Sequence, residues 1–312
     1  MKPGEAVNGA LRKAILASSG NARMRGFAAK HGLRLGASRF VAGDDLEACV
    51  AVLRRLNEQG FSANTTLLGE DVLEEAETRA VVEEYETILA RLHDEELKAN
   101  VALKLTHLGL DIDEELAFEN VRRVVERAAE LGNFIRIDME SSALVDPTLR
   151  TFRRLREAGL DNVGTVLQSY LYRTPEDLEG LLPLAPNLRF VKGAYLEPES
   201  VAYPRKEDVD SAYLRLVERS LTGGGYTAIA THDERMIEHA LAFAEHEGIG
   251  RDRFELQMLY GVRPQLQLDL VARGYEVLVA TPFGPEWFPF FTRRLAERPA
   301  NLTFVVRNLL RR

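Results

Sequence analysis

The chain of 312 residues carries 40 Lys and Arg against 48 Asp and Glu, a formal net charge of −8, and 46% of it is hydrophobic. This composition excludes an intrinsically disordered chain, which lacks apolar material for a core, and disfavours a nucleic-acid binder, which needs a basic surface against phosphates. A single cysteine excludes an internal disulfide, an iron–sulfur cluster and a cysteine-type zinc site. The longest uncharged stretch, 220–232, falls far short of the roughly 18 residues that cross a membrane. The apolar run near the start is too short for a secretory signal, so a soluble, cytoplasmic protein of a reducing compartment is expected.

Residues 1–60 read as an N-terminal helical segment. In DDLEACVAVLRRLNEQG, Leu46, Cys49, Val50, Leu53 and Leu56 recur on one helical face, which predicts packing against the remainder of the chain and not a second domain. Short apolar, β-branched runs then recur at 64–70 (NTTLLGE), 101–105 (VALKL), 134–139 (FIRIDM), 163–168 (VGTVLQ), 189–195 (RFVKGAY), 226–232 (YTAIATH), 254–259 (FELQML) and 276–281 (EVLVAT). A charged stretch with helical periodicity follows each run, and the spacing of about 30 residues is that of one βαβ unit. Near-continuously apolar strands alternating with helices predict a (β/α)8 barrel over 61–312, one domain with its helical annex.

In such a barrel the catalytic groups sit at the carboxyl ends of the strands, where the following loops form the active face. Glu70, Lys104, Asp138, Gln168, Lys192, His232 and Gln257 are placed there by the runs above, and together they favour a site over a purely packed scaffold. Gly223, Gly225 and Ala228 satisfy G-x-G-x-x-A, but they precede a strand instead of joining a strand to a helix, so they read as a turn. His239 and His246 read as a solvated helical face, no metal site is expected, and Cys49 reads as core. Arg293 and Arg294 follow an aromatic patch containing Trp287, Phe288 and Phe290. On a helix they diverge by about 100°, and Arg293 has Glu297 at i,i+4 as a surface partner. With Lys104 they form a candidate cationic anchor for a small carboxylate.

Five segments carry a more specific signal. FVKGAYLEP (190–198), ATHD (230–233), FELQMLYG (254–261), LQSYLYRT (167–174) and RRLAERPAN (293–301) resemble the motifs of proline dehydrogenase, the FAD-dependent, bacterial monofunctional family. The similarity runs from about Leu67 onward, in the family's order. It implies a distorted barrel whose last helix lies over the mouth and carries the arginine pair. It implies that Lys104, Arg293 and Arg294 bind the substrate carboxylate, with Glu70 closing on Arg293 as a gate. Tyr195 and Asp138 are implied to line the substrate pocket. Arg189 is implied to donate to flavin N5, with Gln168 and Gln257 on the ring system. Val191, Gly193, Ala194, Lys206, Thr231 and His232 are implied to hold the rest of the FAD, and Val166, Lys192, Ala230 and Glu297 join the cofactor contacts. The implied reaction passes hydride from the ring carbon of a cyclic amino acid to the flavin, then electrons to a quinone. That acceptor implies peripheral membrane contact, and the basic, apolar tail 302–312 suits either such contact or packing on the barrel.

The chain departs from the family pattern at several places. Ala280 stands where the family has the tyrosine of Tyr-x-Pro-x-Gly, aligned through Pro282 and Gly284, and Phe290 replaces a second tyrosine. Thr66 replaces an aspartate, and His107 is introduced in KLTHLG. The smaller pocket wall raises the alternative of a hydroxyproline or pipecolate dehydrogenase, with proline a weaker substrate. A Schiff-base aldolase using Lys104 or Lys192, and a non-catalytic flavin-binding paralogue, are the further alternatives.

Overall fold

Eight strands pair in parallel and in chain order, and the last closes on the first. The computed structural model describes residues 39–288 and 290. Its regular elements run α1 (Leu46–Glu58), β1 (Ser62–Leu67), α2 (Glu75–Asp94), β2 (Ala99–Leu103), α3 (Glu114–Glu130), β3 (Ile135–Ile137), α4 (Val145–Glu157) and β4 (Val163–Gln168). They continue with α5 (Thr174–Leu181), β5 (Asn187–Val191), α6 (Lys206–Leu221), β6 (Tyr226–Ala230), α7 (Glu234–His246), β7 (Phe254–Leu259), α8 (Pro264–Ala272) and β8 (Val277–Phe283). The (β/α)8 barrel expected from the sequence is the observed architecture.

Local chemistry sets the helix starts. The Asp45, Asp113 and Asp233 carboxylates accept from backbone N–H groups of the first turns of α1, α3 and α7, and Pro264 opens α8 without an N–H to leave orphaned. Of the α1 face predicted to be buried, Cys49, Val50, Leu53 and Leu56 are buried and Leu46 is half-buried, and the helix packs on β1 and β8 at the closing seam. Cys49 lies there against Thr65, whose hydroxyl in turn donates to the Thr281 carbonyl at 3.1 Å. Burial pushes the Cys49 thiol up to about 12, so it is a packing group and not a nucleophile. Strands β4 and β7 match the predicted runs at both ends, whereas β3 is shorter and β8 continues through Pro282. A proline is tolerated because β7 pairing ends at Ala280, and on that side the Pro282 carbonyl accepts from Ala42 N at 2.8 Å.

Strand alternation aims every second residue into the barrel, and those positions are not uniformly apolar. Arg136, 2% exposed, donates through Nη1 to the carbonyls of Thr165 at 2.9 Å and Asn187 at 2.7 Å. Its side chain passes over Gly164 on β4, where a Cβ would lie 2.5 Å from Nη1 and 2.4 Å from the Asn187 carbonyl oxygen. Burial, reinforced by the neighbouring Arg189 cation, pushes the Arg136 guanidinium down to about 9, while Glu255 and Asp138 act against that shift. Gly164→Ala therefore forces Arg136 off its carbonyls, and we expect a loss of at least roughly 2 kcal/mol, typical of an overpacked core. Thermal denaturation measures this, and an unchanged Tm would exclude the packing of Arg136 over Gly164.

Candidate active site at the carboxyl mouth

The last inward-facing residues at or just past the strand ends, among them Thr66, Lys104, Asp138, Val191, Ala230 and Ala280, are half-buried and form an open ring. One step deeper, Asn64, Arg189 and Gln257 are buried. The mouth is thus a cup with a polar floor. Four cations implied by the resemblance lie in or beside it, and each has a carboxylate partner. Lys104 pairs with Glu70, which stands in the loop after β1. Arg189 Nη1 donates to Asp138 Oδ1 at 2.8 Å. Lys192, just past β5, donates to Asp210 Oδ1 at 2.6 Å, and Lys206 in the first turn of α6 reaches the other oxygen. Burial would raise the Asp210 carboxyl, but its hydrogen bonds from Lys192 and Lys206 hold it below its ordinary value. The structure thus brings Glu70 to Lys104; Arg293, Arg294 and Glu297 lie outside the described residues.

The remaining predicted residues divide by depth. Gln168 at the end of β4 is buried and donates through Nε2 to the Glu140 carbonyl at 3.1 Å, and its buried Oε1 has no hydrogen-bond partner among the described residues. Gln257 is not at a strand end but inside β7, where its Nε2 donates to Glu255 at 2.5 Å. Val166 is buried in β4, whereas Ala194 is half-buried in the loop after β5. Gly193 has φ +114°, and a Cβ would lie 2.3 Å from the Tyr170 ring, so only glycine keeps this backbone against that wall. Thr231 accepts at its hydroxyl from Asp233 N at 3.2 Å. His232 Nε2 accepts from Leu259 N at 2.8 Å, which requires a neutral ring with its proton on Nδ1. Tyr195 borders a cavity of about 300 Å3 whose wall includes Glu70, Thr106, Glu140 and Ser141. Burial raises the Glu140 carboxyl, which the Lys104 ammonium and hydrogen bonds from the Thr106 hydroxyl and N–H oppose. Phe290 and Phe288 pack beside Trp287, Leu68, Phe40 and Val41, in a small apolar cluster joining the loops after β1 and β8.

The sequence-level similarity is extensive. A family model described as proline dehydrogenase matches residues 49–307. The proline dehydrogenase of Deinococcus radiodurans is 46% identical over 279 residues, covering 88% of this chain and 90% of that protein. The chain belongs to the proline dehydrogenase family. Proline dehydrogenase 1 of Bacillus subtilis is 40% identical over 302 residues, covering 97% of this chain and 100% of that one. Among solved structures, proline utilization A from Bdellovibrio bacteriovorus, inactivated by N-propargylglycine, superposes with a TM-score of 0.77 at 24% identity. That likeness covers 83% of this chain and 32% of the other, and it supports the barrel fold.

Within this proline dehydrogenase fold, several polar groups escaped the sequence reading: Asn64, Asn100, Arg136, Glu140, Asp210 and Glu255. For Asn64, Asn100, Arg136 and Glu255 the signal was the alternation inside the strands, as in Arg136-x-Asp138 and Glu255-x-Gln257, which a reading of the strands as continuously apolar passes over, whereas Glu140 in a loop and Asp210 on α6 had no such signal. His107, the departure noted in KLTHLG, is 7% exposed and packs against Gly69, where a Cβ would lie 2.2 Å from Nε2. Burial, aided by Lys104 and opposed by Glu70, lowers its imidazole from 6.5 to about 4. The folded state therefore holds a neutral ring, and between those two values the unfolded chain binds more protons. Stability is full above pH 6.5 and falls as pH drops toward 4, by up to about 3 kcal/mol. His107→Gln should flatten this slope in denaturant titrations across that window, and an unchanged slope would show that the ring is not held neutral.

Proposed function

We propose that this chain oxidises L-proline to the cyclic imine, with FAD as the bound acceptor and a quinone as the final one. The observation that carries the reading is the polar cup itself, in a chain 46% identical to a proline dehydrogenase over most of both lengths. Neither a hydroxyproline or pipecolate dehydrogenase, nor a Schiff-base aldolase, nor a non-catalytic paralogue is favoured by these relatives. The residues present fit a flavin. Arg189 Nε and Gln168 Oε1 are buried with no hydrogen-bond partner among the described residues, a donor and an acceptor suited to a heteroaromatic ring system. Lys192 and Lys206 converge from β5 and α6, as a pyrophosphate requires.

In this reading Arg189, Gln168, Gln257 and Val166 hold the ring system, and Val191, Lys192, Gly193, Ala194, Lys206, Ala230, Thr231, His232 and Glu297 hold the remainder. When bound, the flavin supplies the acceptor for the hydride that leaves the ring carbon beside nitrogen. Lys104, with Arg293 and Arg294, binds the substrate carboxylate, while Asp138, Tyr195, Ala280 and Phe290 bound the pocket. Glu70 exchanges its ion pair as the substrate enters and leaves. The cationic clamp disfavours the ammonium form of the substrate, so its nitrogen reaches the neutral state that hydride loss requires at a lower pH. It also fixes the ring face, the contribution that orientation makes to a barrier. Electron transfer to a quinone would bring the chain to a membrane surface as a peripheral protein. Among the described residues no helix is long and apolar enough to cross a membrane.

Purified protein should be yellow, with a band near about 450 nm that L-proline bleaches anaerobically. A flavin that proline leaves oxidised, or a protein free of flavin, would overturn the proposal, and chromatography of the released cofactor separates FAD from FMN. Lys192→Met removes one charged phosphate donor, and flavin affinity should fall roughly tenfold or more in titrations of the deflavinated protein.

A further inference from the structure

The Arg189 guanidinium is held from both sides of the barrel. Nη1 donates to Asp138 Oδ1 at 2.8 Å, and Nη2 donates to Asn64 Oδ1 at 3.0 Å. Asn64 stands on β1 and Arg189 on β5, on opposite sides of the closed ring, so the second bond spans the interior. Both residues are buried, Asn64 at 1% exposure and Arg189 at 9%. Arginine offers only donors, so Asn64 must present its oxygen to Nη2, and its nitrogen turns to Asn100 Oδ1 on β2. That second bond makes the amide orientation a consequence of its partners.

With both Nη atoms fixed, a planar guanidinium has one orientation left. Nε is buried and has no hydrogen-bond partner among the described residues. A charged N–H left this way is costly unless an acceptor outside the chain completes it. The two anchors do different work. Asp138 supplies the opposing charge, whereas Asn64 supplies direction without charge.

We infer that Asn64 is a positioning residue for the redox step: held by Asn100, it sets the angle at which Arg189 meets the flavin. The inference rests on the reading of Arg189 as a donor to the ring system. Without Asn64 the guanidinium hangs from Asp138 alone and can swing about that contact.

The test uses flavin-loaded full-length protein. Asn64→Leu should move the flavin midpoint potential to a more negative value, because the cation no longer faces the reduced ring squarely. Flavin reduction at saturating proline should slow by about tenfold or more, while KM for proline changes by less than about twofold. Asn100→Leu should shift both in the same direction by less. In an Arg189→Met background, Asn64→Leu should add almost nothing, since its effect passes through that side chain. If Asn64→Leu does not fold, Asn64→Ser, too short to reach Nη2, takes its place with the same expectations. A lower Tm with an unchanged potential, or full additivity with Arg189→Met, would overturn the inference and leave the flavin reading intact. An Arg189→Met protein whose flavin spectrum and potential match the parent would overturn both the inference and the reading of Arg189 as a donor to the ring.

Discussion

Enclosing two guanidinium groups within a ring of eight strands requires that the same ring supply most of their partners, since burial leaves them little contact with water. Arg136 and Arg189 meet this demand with different groups: backbone carbonyls and Asn187 for the first, Asp138 and Asn64 for the second. Removing one member of such a buried set costs about 3–5 kcal/mol, because the remaining charge is left unanswered. The outer helices carry many ion pairs, such as Arg150–Glu114 and Arg154–Glu115, but these lie in solvent. Exposed pairs are each worth about 0–1 kcal/mol, so the polar interior and not the girdle of salt bridges determines which substitutions matter.

The same rule extends upward to the mouth. A chain of net charge −8 binds an anionic ligand only if its positive charge is concentrated locally. Among the described residues the concentration is achieved with paired cations: Lys104 meets Glu70 of the loop after β1, while Lys192 and Lys206 share Asp210, which lies on α6 with Lys206 itself. Binding an anion then exchanges one negative partner for another, and the desolvation of the cation is largely met in advance. Pairing also explains why the acidic balance of the whole chain coexists with a cationic site.

The barrel was legible because its periodicity is long and redundant. Eight apolar runs about 30 residues apart leave little else for the chain to be. Strand starts were less legible, since Ser62, Ala63, Ala99 and Asn100 carry no β-branched or aromatic signal, although they pair in register. The interior polar set was missed for a different reason: Arg136 and Glu255 each sit between apolar neighbours on the opposite face, Asn64 sits beside Ala63 and the buried Thr65, and averaging over a strand hides all three. Asp210 was illegible in another way. It lies on a helix with Glu207 and Asp208, and only the fold shows that it alone faces Lys192. The resemblance supplied a partner for Glu70 in Arg293; the described structure shows Lys104 on the same carboxylate, a contact that strand order alone could have suggested.

An amide at position 64 is also what the charge balance of the interior calls for. Arg136 and Arg189 face Asp138 and Glu255, and burial raises the Glu255 carboxyl even though both guanidinium groups oppose that shift. With Glu255 ionised the set is neutral, and with Glu255 protonated it carries one positive charge. A carboxylate at position 64 would hold Arg189 equally well but would subtract a further charge beneath the ring that receives the electrons. Asparagine gives Arg189 its direction and leaves the positive charge where a reduced, anionic ring is stabilised by it.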